Sequence, residues 1–277
     1  MSGDKKRQAS SDDKSERPPK RRAIEAIKTG EAPKTTEGPA APTSRTYVIE
    51  GDKNIPFGLG NKRIAECVLE FLDVGALDDA KTDDPKRSNH CMLRLIFSQT
   101  LQADTPYAPA GTRGVVLNIE PDDIHESTAT GKIHLKTFHH PGVHARALKV
   151  YDLPVRGDQR VRDFVRIVKN SGMVPCSFNA RDDSLVGCKD FMSQLIHRLN
   201  NAKILKLPND AATSVFGQFN LRRNKGVPDT PNPVRYAIFR KKYKHLPIDG
   251  INYYGKKRFI KDDSEEEEST ESDEEEE

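Results

Sequence analysis

The chain has no tryptophan and only four cysteines in 277 residues, and each lack excludes something. Cysteines at 67, 91, 176 and 188 are too few and too irregularly spaced for a disulfide scaffold, and no Cys-x-x-Cys pair offers a zinc site. They read as free thiols in a reducing compartment. No apolar run reaches the ~18 to 20 residues that a bilayer crossing needs, and MSGDKKRQASS has no hydrophobic stretch of a secretory signal. The expectation is a soluble intracellular protein without membrane contact. Apolar residues are scarce too, at 35% of the chain, which predicts that part of it does not fold.

Charge is plentiful and unevenly placed. The net charge of +3 hides 12 carboxylates and no base in Asp262–Glu277, and 12 Lys or Arg against two Asp in residues 221–261. Residues 46–220 hold 22 bases and 21 acids, the balance of an ordinary globular domain, so the electrostatic signal sits in the flanks.

Residues 1–45 carry hardly a large apolar side chain and are expected to be a disordered, basic N-terminal region. RTYVIE predicts a strand, and GNKRIAECVLEFLD a helix, since Ile64, Cys67, Val68, Phe71 and Leu72 recur at helical spacing. DVGALDDAKTDDPKRSN reads as a loop. HCMLRLIFSQ, TRGVVLNIEP and GKIHLKTFHH then predict three strands in hairpin-like succession, and ARALKVYDLP an edge strand. VRDFVRIVKNSG predicts a helix ended by Gly172, MVPCSFNA a short strand, and RDDSLVGCKDFMSQLIHRLNNA a helix capped from Asp182, Asp183 or Ser184. Cys188, Phe191, Leu195 and Leu199 share one of its faces. The fold class expected is α+β, an antiparallel sheet with packed helices, over a core domain of 46–206. A basic, aromatic-containing extension, 207–261, is packed on that core or follows it, and 262–277 is a disordered acidic tail. NPVRYAIFRKKYKHL within the extension reads as a strand or a short helix.

Two motifs carry a family resemblance: Asn89-His90, opening a strand in SNHCMLRLIF, and Gly187-Cys188, opening a helix in VGCKDFMSQLI. With GVVLNIEPDD, GKIHLKTF and VRDFVRIVKNSG between them, the order over roughly 45–206 resembles a family of uncharacterised fungal domains without a known activity. That family usually has Trp where this chain has Cys91. A strand-borne His followed by a Cys at a helix start is also similar to permuted papain-like domains, a superfamily with thiol hydrolases and acyltransferases. The resemblance implies a papain-like fold that either keeps a Cys188/His90 thiol activity or serves as an inactive binding relative.

Read from the residues alone, Cys188 is either a nucleophile ionised by the N–H groups and dipole of a helix start, or a small buried hydrophobe beside Phe191 and Leu195. Asp182, Asp183 and Asp190 would hold its thiol protonated if close. His90 is either the general base for Cys188 or a structural histidine bonded to a carbonyl. His134, with Asn118 and Glu120 behind it, is the candidate to orient the imidazole. His139, His140 and His144 in HHPGVH stand beside no acidic or thiol ligand at metal spacing, so they read as an exposed loop, and no metal or cofactor is expected. GLGNKR has Gly58 and Gly60 but neither a dinucleotide nor a P-loop fingerprint, and reads as the start of the helix that follows.

The flanks suggest partners. Lys5, Lys6 and Arg7 are separated by twelve residues from Lys20, Arg21 and Arg22, the pattern of a bipartite nuclear import signal, which predicts an import receptor as partner and nuclear rather than cytoplasmic residence. Arg240, Lys241, Lys242, Tyr243, Lys256, Lys257 and Arg258 interleave bases with aromatics, as single-stranded nucleic acid requires, or else complete the fold. The acidic tail offers Ser264, Ser269, Thr270 and Ser272 to acid-directed kinases and could meet basic proteins. A non-enzymatic nuclear protein holding nucleic acid or chromatin partners is thus the alternative reading.

Overall fold

The computed structural model describes residues 43–50, 55–73, 89–125, 128–140, 142–181, 184–207 and 215–260. The import motif, the loop at 74–88, Asp182, Asp183 and the acidic tail lie outside these residues. All described residues belong to one compact unit, 41–277.

The architecture is α+β. Strands β1 (Thr46–Ile49), β2 (Ile64–Leu72), β3 (Cys91–Phe97), β4 (Gly114–His125), β5 (Thr128–Phe138), β6 (Ala147–Leu153), β7 (Cys176–Arg181) and β8 (Ser184–Val186) build most of one sheet, to which β12 (Ile238–Arg240) and β14 (Phe259–Ile260) are added. Its order is β14-β12-β7-β5-β4-β3-β2-β6, with β1 alongside β5 and β8 alongside β7. All pairings in it are antiparallel except β12 with β14. One edge of β5 pairs with β4 over nearly its whole length, and the other is divided between β7 and β1.

Period-two alternation explains which face is inner. Cys67, Leu69 and Phe71 of β2, Cys91, Leu93 and Leu95 of β3, Val115, Leu117 and Ile119 of β4, and Ile133 and Leu135 of β5 are buried in one core. Helix α2 (Val161–Asn170) lays Val161, Phe164, Val165 and Val168 into it, and helix α3 (Cys188–Asn201) adds Phe191, Leu195 and Leu199. Helix α2 stops where predicted, with Gly172 at φ +70°.

Residues 64–72 correct the helix expectation. They form a strand between β3 and β6. Cys67, Leu69 and Phe71 face the core while Val68, Glu70 and Leu72 are buried on the opposite face, and a run that is apolar on both faces fits helical spacing by chance. Gly58 and Gly60 therefore start no long helix but lie in the single turn α1 (Phe57–Gly60) ahead of β2.

What covers the outer face of β2 is the loop that holds the three histidines. Glu70 and Arg94 form an ion pair there at 3.1 Å, almost wholly buried. The His144 N–H donates to the Glu70 carboxylate, Arg94 donates to the carbonyls of Gly142 and His140, and its guanidinium lies 4.2 Å from the Phe138 ring centre. Three backbone groups of the loop, the carbonyls of His140 and Gly142 and the N–H of His144, are thus bonded to this pair.

The extension is integral to the fold. Strands β9 (Leu221–Asn224) and β10 (Val227–Pro231) form a hairpin-like pair, β11 (Val234–Arg235) pairs with β13 (Tyr253–Tyr254), and Val215, Phe216, Phe219, Val234 and Phe239 enter the same core. NPVRYAIFRKKYKHL thus holds two short strands. Residues 237–253 also wrap the back of α3: Asp190 accepts from the Ala237 N–H at 2.8 Å and His245 Nε2 at 2.9 Å, and Gln194 bonds Leu246 and Tyr243. This makes α3 buried nearly all round.

Glu70→Ala is expected to leave the Arg94 guanidinium buried without its carboxylate and to cost about 3 to 5 kcal/mol of folding stability. Urea unfolding of the variant and the parent, compared at equal slope, checks this.

Candidate active site

Gly187 decides where α3 begins. Its φ is +133°, a conformation that L side chains rarely adopt, and an added Cβ would come 3.1 Å from both Ala237 Cα and Phe178 Cδ1. Because β8 occupies Ser184–Val186, the predicted cap does not form and the helix starts at Cys188. Gly187 supplies no side-chain cap, and the first turn of a helix has no internal acceptors for its N–H groups. Cys188 therefore sits, partly exposed, on the positive end of a buried helix.

Asn89 fixes what faces it. The fully buried amide donates to the carbonyls of Leu72 at 2.8 Å and Arg223 at 2.7 Å and accepts the Arg223 N–H at 2.6 Å, so it acts as a peptide group joining β2 to β9. Cys188 Sγ lies 3.7 Å from the Asn89 carbonyl oxygen, to which it donates only while protonated. The next residue, His90, brings its ring into the electrostatic reach of the Cys188 thiol. Ninety-eight residues of sequence separation are thus closed by the start of β3 and the start of α3.

The group that orients His90 is Asn118, not His134. His90 Nε2 lies 2.5 Å from Asn118 Oδ1, and Asn118 Nδ2 donates to Glu120 Oε1 at 2.6 Å. Since the amide spends its N–H on the carboxylate, its oxygen must accept from the imidazole. His90 then carries its proton on Nε2, which leaves Nδ1 as the ring nitrogen that can accept another. His134 is the cross-strand neighbour of Asn118 and stands 4.0 Å from Glu120, one strand too far to reach His90.

Electrostatics follow from these contacts. Cys188 is held well below its ordinary 9.0, first by the hydrogen bond from Cys91, then, against burial, by the bond and charge of His90 and by Lys189. For His90, burial works against the charged ring, but Cys188, Asn118 and Glu120 outweigh it and raise the imidazole above 6.5. Lowered thiol and raised imidazole together describe a thiolate–imidazolium pair. Burial brings Lys189 down to about 8; its ammonium donates to the Leu221 carbonyl at 2.7 Å. Asp190 does not oppose the thiolate as sequence spacing allowed, because two residues along a helix turn it to the opposite side, where Ala237 and His245 hold it.

Three participants had no clear signal in the sequence: Asn89 as a clamp, Cys91 as a thiol neighbour and Lys189 as a buried cation. Tyr243 is buried, stacks on Phe239 at 4.0 Å and donates to Gln194, so it is not placed to receive a nucleobase. Arg240, Lys242, Lys256, Lys257 and Arg258 are exposed, as is Lys241. Among the described residues, no group of three or more His, Cys, Asp or Glu could hold a metal ion, and no helix is long and apolar enough to cross a membrane. A cavity of about 600 Å³ is lined by Ile55, Phe57, Asn61, Arg162, Val165 and Lys169, none of which belongs to the thiol cluster. Comparison with protein-family models, curated proteins and solved structures gives no match for the chain.

Alkylation of native Cys188 by iodoacetamide is expected to stay fast at neutral pH, because the thiol loses its proton well below 9.0. His90→Ala removes the imidazolium and moves the rate–pH profile upward; Asn118→Ala moves it in the same direction by less. Site-resolved mass spectrometry across a pH series checks both.

Proposed function

We propose that this protein is a thiol-dependent acyl hydrolase or acyltransferase of the papain-like kind, with Cys188 as nucleophile, His90 as general base and acid, and Asn118 as the orienting group. The observation that carries the reading is the chain from Cys188 through His90 to Asn118 at an uncapped helix start. The Cys188 thiolate attacks an acyl carbon, and the oxygen's developing charge meets the free N–H groups of the first turn of α3. Collapse breaks the bond to the leaving nitrogen or oxygen, which takes the proton from His90. A thioester remains. Water, or an amine acceptor, activated by the now neutral His90, then releases the acyl group and restores the thiolate.

An aryl ester is the general probe. The parent chain is expected to give a burst of one phenolate per chain and an acyl adduct on Cys188 that decays with time. Cys188→Ala abolishes both, and His90→Ala lowers the burst rate by roughly two to four orders of magnitude. An adduct absent from Cys188 in the parent chain overturns the reading.

The flanks support nuclear residence with an import receptor and basic or nucleic-acid partners. Tyr254 and Phe259 are exposed at 59% and 48% beside Lys256, Lys257 and Arg258, a strip in which bases and rings face outward together. A fluorescent fusion of residues 1–30 is expected to gather in nuclei and to spread through the cell once Lys20, Arg21 and Arg22 are neutralised.

A further inference from the structure

We propose that Cys91 and Cys188 form a peroxide-responsive dithiol, in which oxidised Cys188 is captured by Cys91 as an intramolecular disulfide. Cys91 Sγ lies 3.7 Å from the Cys188 carbonyl, which sets the two thiols side by side, and each perturbs the other's ionisation. They are unequal in the way such a pair needs. Cys188 is partly exposed on a helix start and faces an imidazole, whereas Cys91 is fully buried in the core behind it. A small oxidant thus meets Cys188 first. Cys67 and Cys176 are buried elsewhere in the core, Cys176 against the Gly131 carbonyl, and take no part.

Both steps balance with hydrogen peroxide as oxidant. The Cys188 thiolate attacks one peroxide oxygen: the S–O bond forms, the O–O bond breaks, and the departing hydroxide takes the His90 proton and leaves as water. Cys188 is now a sulfenic acid, oxidised by two electrons. The Cys91 sulfur then attacks the sulfenic sulfur, the S–S bond forms, and the hydroxyl leaves as a second water with the Cys91 proton. One peroxide and two thiols give one disulfide and two waters. An external dithiol reverses the change by exchange.

The disulfide removes the nucleophile of the proposed acyl chemistry, so the pair also regulates that site; it rests on the ionised Cys188 of that reading but on no acyl substrate.

The test is addition of stoichiometric hydrogen peroxide to the full chain without reductant, followed by alkylation in denaturant and peptide mapping. The four alkylatable thiols are expected to fall to two, with the Cys91 and Cys188 peptides joined and released by dithiothreitol. Cys91→Ser, with Cys91→Ala as the apolar replacement should serine disturb the core, is expected to stop at a Cys188 sulfenic acid trapped by dimedone and to proceed to sulfinic acid in excess peroxide. Cys188→Ser leaves Cys91 reduced. Parent chain that reaches Cys188 sulfinic acid without the crosslink, or that stays reduced, overturns the proposal. A crosslink without an acyl adduct in the aryl-ester assay would leave the dithiol standing and remove the acyl chemistry; an adduct without a crosslink would do the reverse.

Discussion

The site depends on one buried amide. Asn89 spends its side chain as a surrogate peptide, bonded to Leu72 on one side and to both backbone groups of Arg223 on the other. A buried amide left without partners would cost ~1 to 3 kcal/mol per group, so β2 and β9 are held in one arrangement against the start of β3. Because the clamp stands immediately before His90 and Cys91, it aims the imidazole and sets the second thiol behind Cys188. The backbone carbonyl of the same residue receives the Cys188 thiol. The geometry around the thiol is thus supplied by a residue with no acid–base chemistry of its own.

Charge is sorted around α3 by its own periodicity. Lys189 and Asp190 are consecutive and both buried, yet they meet different partners because 100° separates neighbours on a helix. Lys189 is anchored to β9 near the thiol. Asp190 is consumed at the back of the helix by Ala237 and His245. The favourable cation stays with Cys188 and the unfavourable anion is carried away. The segment after residue 207 supplies both anchors and enters the same core.

Strand β4, strand β5 and helix α2 were legible in the sequence, because alternating burial and a Gly-terminated apolar stripe leave distinct periods. Strand β2 was not, since burial on both faces erases the alternation. His90 and Cys188 could be singled out by residue type and local position, but Asn118 could only be set behind His134. Which residue of β4 faces His90 is fixed by the register of β3 against β4, Leu93 opposite Leu117, and the connection at 98–113 does not announce that register. Contacts such as Cys91 with Cys188 and Asn89 with Arg223 span 97 and 134 residues and leave no local trace.

The length of the Asn89–Arg223 contact has a consequence for how the chain is made. During synthesis His90 leaves the ribosome well before Cys188, and Cys188 before the strand that clamps Asn89. Until Arg223 has emerged, the Asn89 clamp beside His90 is incomplete, and Cys188 in an unfolded nascent chain is an ordinary, protonated cysteine at neutral pH. The reactivity proposed for Cys188 would therefore arrive only with the completed fold, and a chain still tethered to the ribosome would carry ordinary thiols alone.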